Sequence, residues 1–108
     1  MKQTGYVVVL VTASGRDEAE KIAAALLERR QAACVNIMAS VASRFWWKGK
    51  IDSADEALMF IKTRQAAVSD VIKTVKINHS YSVPEVIVLP ITGGSEEYLN
   101  WIGGEVPE

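Results

Sequence analysis

Hydrophobic and polar positions follow different spacings along the chain, and each spacing predicts an element. From about Gly5 to Ala13 the run "GYVVVLVTA" is unbroken and rich in β-branched residues, which predicts a strand buried on both faces. Ser14 and Gly15 interrupt it. Ala19, Ile22, Ala23, Leu26 and Leu27 then recur at helical spacing. Ser14 or Asp17 is the expected N-cap, with Glu18 and Glu20 in the first turns and Arg29 and Arg30 at the C-terminal end, as the helix dipole favours. "AACVNIMASVASRFWW" reads as a long extended segment, and "KGK", Lys48 to Lys50, as a turn. "DEALMFIKT" reads as the returning strand, with Leu58, Phe60 and Lys62 on one side and Met59, Ile61 and Thr63 on the other. Val68, Val71, Ile72 and Val75 mark a second amphipathic helix ending near Lys76. "HSYSVPE" leads into a buried strand, "EVIVLPI". Beyond Gly93 and Gly94, Ser95 with Glu96 and Glu97 caps a short helix carrying Tyr98, Trp101 and Ile102, and the tail "GGEVPE" is expected to fray.

The order is β-α-β-β-α-β plus a terminal helix. That pattern predicts an α+β, ferredoxin-like sandwich in one domain over residues 1–108, with both helices on one face of an antiparallel sheet. The strand-helix-strand shape occurs twice without a repeat at the residue level. Such a fold hosts many unrelated activities, so function has to come from the residues. The hairpin around Gly49 is long for so small a domain, and Trp46 and Trp47 near its tip point to opposite faces. At least one indole is then expected to face water. Either a loop or the terminal helix with Trp101 covers it, or a neighbouring subunit does; the second is preferred, because exposed apolar strand surface is a hazard that closed oligomers remove.

Composition narrows the function classes. Net charge is −1, and the chain is 49% hydrophobic and 23% charged, which allows a real core and argues against disorder. The basic face expected of a nucleic-acid binder is absent: Arg29-Arg30 and Lys48 with Lys50 are too short to track phosphates. One cysteine, Cys34, makes no internal disulfide, and no apolar run approaches the ~20 residues needed to cross a bilayer. Met1-Lys2 before "YVVVLVTA" imitates a secretory signal, but the valine-rich run leads into a helix with no clear cleavage motif. The expectation is a cytoplasmic protein with no nucleic-acid or membrane partner.

Several residues are candidates for chemistry. His79 is the only histidine, and a neutral imidazole suits copper, zinc or nickel; the alternative is a histidine bonded locally at the end of the second helix. Glu85 and Tyr81 are its nearest polar neighbours. Cys34, a soft donor, shares a strand face with Met38, though a free cysteine beside methionine also suits a core. Lys62 inside an apolar strand needs a partner or a wet cleft, and Glu56 lies about 20 Å away along the same strand face. Either these groups form ion pairs between subunits, or Lys62 anchors a small anion in a cleft with Trp47, Glu56 and Tyr81. "ASGRDE", Ala13 to Glu18, is a poor phosphate loop because Asp17 and Glu18 repel anions.

Read together and in order, "AACVNI", "SRFWWKG", "EALMFIKT", "HSYSVPEVIVLPI" and "EYLNWI" resemble the CutA family of divalent-cation tolerance proteins over nearly the whole chain. The family pattern is matched by Ala33, Cys34, Val35 and Asn36, by Ser43, Phe45, Trp47 and Gly49 at alternate positions, by Glu56, Lys62 and Thr63, and by His79, Tyr81, Pro84 and Glu85. Ser80 stands where the family usually has proline, restoring a backbone N–H, and Phe45 where tyrosine is common, deleting a phenolic donor. The resemblance implies a non-enzymatic ferredoxin-like homotrimer whose hairpins wrap onto neighbouring subunits. It also implies tolerance of copper or another divalent cation that folding does not require, with His79, Glu85 and Cys34 as the metal candidates. Trp47, Glu56, Lys62, Thr63 and Tyr81 would line a cleft between subunits. A likeness to PII-type signalling trimers implies the rival function, binding of a small effector there; a purely structural trimer is the third.

Overall fold

The protein is seen in a computed structural model that describes residues 3–108. Met1 and Lys2, the charged start of the signal-like run, lie outside the described residues. The elements are β1 (Tyr6–Ala13), α1 (Arg16–Glu28), β2 (Cys34–Trp47), β3 (Lys50–Arg64), a 3-10 turn (Gln65–Ala67), α2 (Val68–Asn78), β4 (Val86–Pro90) and α3 (Glu96–Glu105). The strands form one antiparallel sheet in the order β2-β3-β1-β4. This is the expected α+β, ferredoxin-like arrangement.

One face of the sheet carries the core. Val7, Val9, Val11 and Ala13 of β1 and Ala57, Met59 and Ile61 of β3 pack against Ala19, Ile22, Ala23 and Leu26 of α1 and Val71 and Val75 of α2, all buried. The two helices therefore cover one face, as their apolar stripes require. β1 departs from expectation. It is central, yet its burial alternates residue by residue instead of being complete on both faces. Tyr6, Val8, Leu10 and Thr12 point to a second, open face that the two helices leave uncovered, where they join Leu58 and Phe60 of β3 and Ile87 and Leu89 of β4.

Sequence details explain the joints. The β2–β3 turn has positive φ at both Lys48 (50°) and Gly49 (78°), the type I′ geometry whose twist suits a two-residue hairpin. Beyond Ala57, β3 loses β1 as a partner; from Lys50 to Glu56 it pairs with β2 alone, as a free two-stranded ribbon. Gly15, and neither Ser14 nor Asp17, occupies the N-cap of α1. At the other end Arg30 takes φ 56°, while the Arg30 and Gln31 amides donate to the carbonyls of Leu27 and Leu26. That is a Schellman closure of the helix, and it frees the Arg30 side chain to pair with Glu105 at 2.8 Å.

The C-terminal tail does not fray. α3 continues through Gly103 and Gly104, and Ile102 and Val106 are buried. The guanidinium of Arg64 donates to the carbonyls of Gly103 (2.6 Å) and Val106 (2.5 Å). Gly103 is required by close approach: a Cβ there would collide with the Tyr6 hydroxyl. Gly103→Ala is thus expected to destabilise the fold by about 1–2 kcal/mol despite alanine's better helix propensity. Adding Tyr6→Phe, which removes the obstructing hydroxyl, is expected to recover part of the loss, since Arg64 Nη2 at 3.1 Å and the Tyr6 ring carbon at 3.3 Å stay close; thermal melts of the single and double variants check this.

Candidate functional site

A register shift in the long hairpin decides what shares a face near its tip. Met38 pairs with Leu58, but Val41 pairs with Glu56, so β2 holds one extra residue between Met38 and Val41. Such a bulge reverses the parity of every side chain beyond it. Before it, Cys34, Asn36 and Met38 lie on the open face; after it, Ser43, Phe45 and Trp47 do, on the same face as Glu56. A cavity of about 750 Å³ opens there, walled by Phe45 and Trp47 on β2, Asp52 and Glu56 on β3, and Tyr81 and Glu85 on the connector.

The connector is held from beneath. The His79 side chain is wholly buried. Its Nε2 meets the Thr12 carbonyl at 2.7 Å, so Nε2 carries the proton, and Nδ1 accepts the Tyr81 amide at 3.0 Å. Glu18, at the start of α1, accepts from the amides of Ser14 (3.0 Å) and Ser80 (2.9 Å), and its Oε1 lies 3.4 Å from His79 Nδ1. The restored amide at Ser80 is therefore in use. With these anchors, the Tyr81 ring packs on the imidazole at 4.7 Å and its hydroxyl donates to Glu56 Oε2 at 2.9 Å.

The electrostatics follow. Burial, the hydrogen bond to Glu56 and that carboxylate's charge push the Tyr81 phenol up to about 12, so it remains a donor at neutral pH. Burial and the Glu56 charge raise the Glu85 carboxyl above its ordinary value. Burial alone would raise Glu18, but the Ser14 and Ser80 hydrogen bonds and nearby His79 outweigh it and hold it below the ordinary 4.5. A depressed carboxylate contributes stability that is present above its unfolded pKa and lost as pH falls through the folded value. Glu18→Gln is accordingly expected to flatten the fall in melting temperature below about pH 4.5, measured across a pH series.

The candidates read from sequence thus separate. Glu56, Tyr81, Glu85 and Trp47 come together around the cavity. Lys62 does not: its ammonium bonds Asn36, and Cys34, its cross-strand partner, also turns to Asn36 at 3.7 Å. Thr63 is buried and donates to the Gln31 carbonyl at 2.6 Å, a structural role. Cys34 and Met38 pair with Lys62 and Leu58, about 13 Å apart by strand rise, so they cannot hold one ion between them. His79 has both ring nitrogens engaged within the chain. Among the described residues no three His, Cys, Asp or Glu side chains converge as a metal site. Sequence reasoning missed Asp52 and Glu18; the alternate spacing of Ser43, Phe45 and Trp47 was the available signal for the cavity wall.

Residues 7–105 match the family described as CutA1 divalent ion tolerance protein. The chain belongs to the CutA1 family. It is 46% identical over 101 residues to a chloroplastic CutA of Arabidopsis thaliana, a match covering 94% of this chain and 56% of that one. Its fold is similar to the crystal structure of CutA1 from Oryza sativa, with a TM-score of 0.94 and 39% identity over 98% of this chain and 97% of that one. It is also similar to the periplasmic divalent cation tolerance protein CutA from Archaeoglobus fulgidus, with a TM-score of 0.92 and 43% identity over 94% and 99%. The chain spans little more than half the length of the Arabidopsis relative. These findings correct the expected cytoplasmic location: with a chloroplastic relative and a periplasmic one, CutA1 membership carries no cytoplasmic address. No helix among the described residues is long and apolar enough to cross a membrane.

Proposed function

We propose that the chain acts as a non-enzymatic homotrimer in tolerance of divalent cations, copper among them. The observation that carries this reading is the open sheet face. Met38, Ile87 and Leu89 are each about half exposed there, and at the ribbon tip Trp46 is 73% exposed opposite Ile51 at 68%. Trp101 stacks on Tyr98 at 5.5 Å, which leaves the tip for another copy to cover. Apolar area on this scale, continuous with an unpaired ribbon, suits burial between copies. An ion would be held where copies meet, with Glu85 and Cys34 as donors completed by neighbouring chains, and with His79 contributing only after breaking its bonds to Thr12 and Tyr81. Light scattering on the purified chain is expected to give three times 11.8 kDa. Equilibrium dialysis with Cu(II) is expected to show uptake that falls in Glu85→Gln and Cys34→Ser; equal uptake in both variants overturns the site.

The second reading, an effector-binding trimer of the PII kind, is favoured by the cavity beside Trp47, Glu56 and Tyr81, which is far larger than an ion needs. Stabilisation of the fold by metabolites, with none by Cu(II), in a thermal-shift screen would decide for it.

A further inference from the structure

The effector expected from the sequence was a small anion anchored by Lys62, yet Lys62 lies elsewhere and the cavity is lined with acids. Three carboxyl groups, of Asp52, Glu56 and Glu85, border it against one cation, Arg44. Arg44 has the opposite parity along β2 and shares its face with Trp46, away from Glu56.

Glu56 is the central group. It is only 6% exposed. Tyr81 satisfies Oε2, while Oε1 has no hydrogen-bond partner among the described residues. No fully enclosed side-chain oxygen or nitrogen among the described residues lacks a partner, so Oε1 keeps some contact with solvent, and Glu56 lines the cavity. Glu56 is thus a largely buried carboxylate with one acceptor oxygen still unused, which a cation can pair. Beside it stand Phe45 and Trp47, whose ring faces attract a cation electrostatically. A bare metal ion would find no three converging donors here. An organic cation finds a carboxylate for its N–H groups and an aromatic wall for its face.

We propose that the cavity between the ribbon and the 81–85 connector binds an organic cation, an ammonium or guanidinium head group that bonds Glu56 Oε1 and packs on Trp47 and Phe45. The proposal rests on the effector-binding reading and names its ligand class. Glu85, at the mouth, is a second acceptor for a ligand with two donors, and the Tyr81 hydroxyl fixes the orientation of Glu56.

Isothermal titration of the full chain with agmatine, which carries a guanidinium at one end and an ammonium at the other, tests this. Agmatine is expected to bind once per chain. Glu56→Gln keeps the shape and an acceptor for Tyr81 but removes the charge, and is expected to weaken binding about tenfold. Trp47→Leu, at a half-exposed site, leaves the buried carboxylate in place and is expected to weaken binding about threefold. Asp70→Asn, on α2 and outside the cavity lining, is expected to leave the affinity unchanged. Agmatine binding that is indifferent to both cavity variants overturns the proposal. If ATP binds in a Trp47-dependent way while agmatine does not, the effector reading stands and the cationic class falls. If neither binds, both fall.

Discussion

Ile87→Asp combined with Leu89→Asp is expected to convert the proposed homotrimer into single chains, with the mass by light scattering falling to 11.8 kDa. Both side chains lie on β4, on the sheet face that α1 and α2 leave open, next to Leu10 and Val8 of β1. Each is close to half exposed in the single chain, so neither carboxylate disturbs the core under the helices. In an interface between copies, by contrast, each aspartate would be a charge taken out of water without a partner, a cost of several kcal/mol per ion. The isolated chain should keep its far-ultraviolet circular dichroism. Ile77→Asp, which alters an 82% exposed residue on α2 away from that face, is the matched control and should leave the mass unchanged. A double variant that stays trimeric would move the interface off this face.

Arg64→Ala should lower the unfolding free energy by about 2–4 kcal/mol, the largest loss expected from a single side chain outside the core. Its guanidinium is the fastening of α3. Nη2 and Nε serve the Gly103 and Val106 carbonyls, Nη1 lies 3.4 Å from Glu108, and the group sits 5.6 Å from the centre of the Tyr6 ring. The last carbonyls of a helix have no partners within it, so removing the fork leaves them poorly served beside the buried Ile102 and Val106. Arg64→Lys should recover only part of the loss, because one ammonium cannot reproduce a planar pair of donors. Denaturant titration of the three proteins measures this, and an alanine variant within about 0.5 kcal/mol of the parent would show the fastening idle.

Much of the fold was legible because local spacing and global topology agree. The period-two alternation of Leu58 to Thr63, the helical spacing of Ala19 to Leu26 and the glycine turn at Gly49 each named their element before any packing was known. What escaped was set by contacts distant in sequence. Ala39 and Ser40 give no sign of the bulge that turns Trp47 toward Glu56, so strict alternation misplaces the tip. The tail from Gly103 reads as frayed, whereas the helix continues to Glu105 and the Tyr6 hydroxyl crowds any Cβ at Gly103. His79 reads from sequence either as a ligand or as a histidine bonded locally after the second helix; the Thr12 carbonyl and the Tyr81 amide give it local bonds that bracket the connector. Lys62 and Glu56 share a strand face yet serve different neighbourhoods, as their separation along β3 required.

One carboxylate closes two loops at once. Glu18 grips the chain just before α1 and again just after α2, at points 66 positions apart (Ser14 and Ser80). The entrance to one crossover and the exit of the other are thereby riveted together, and a ligand that shifted the Tyr81 segment would tug on the first helix as well.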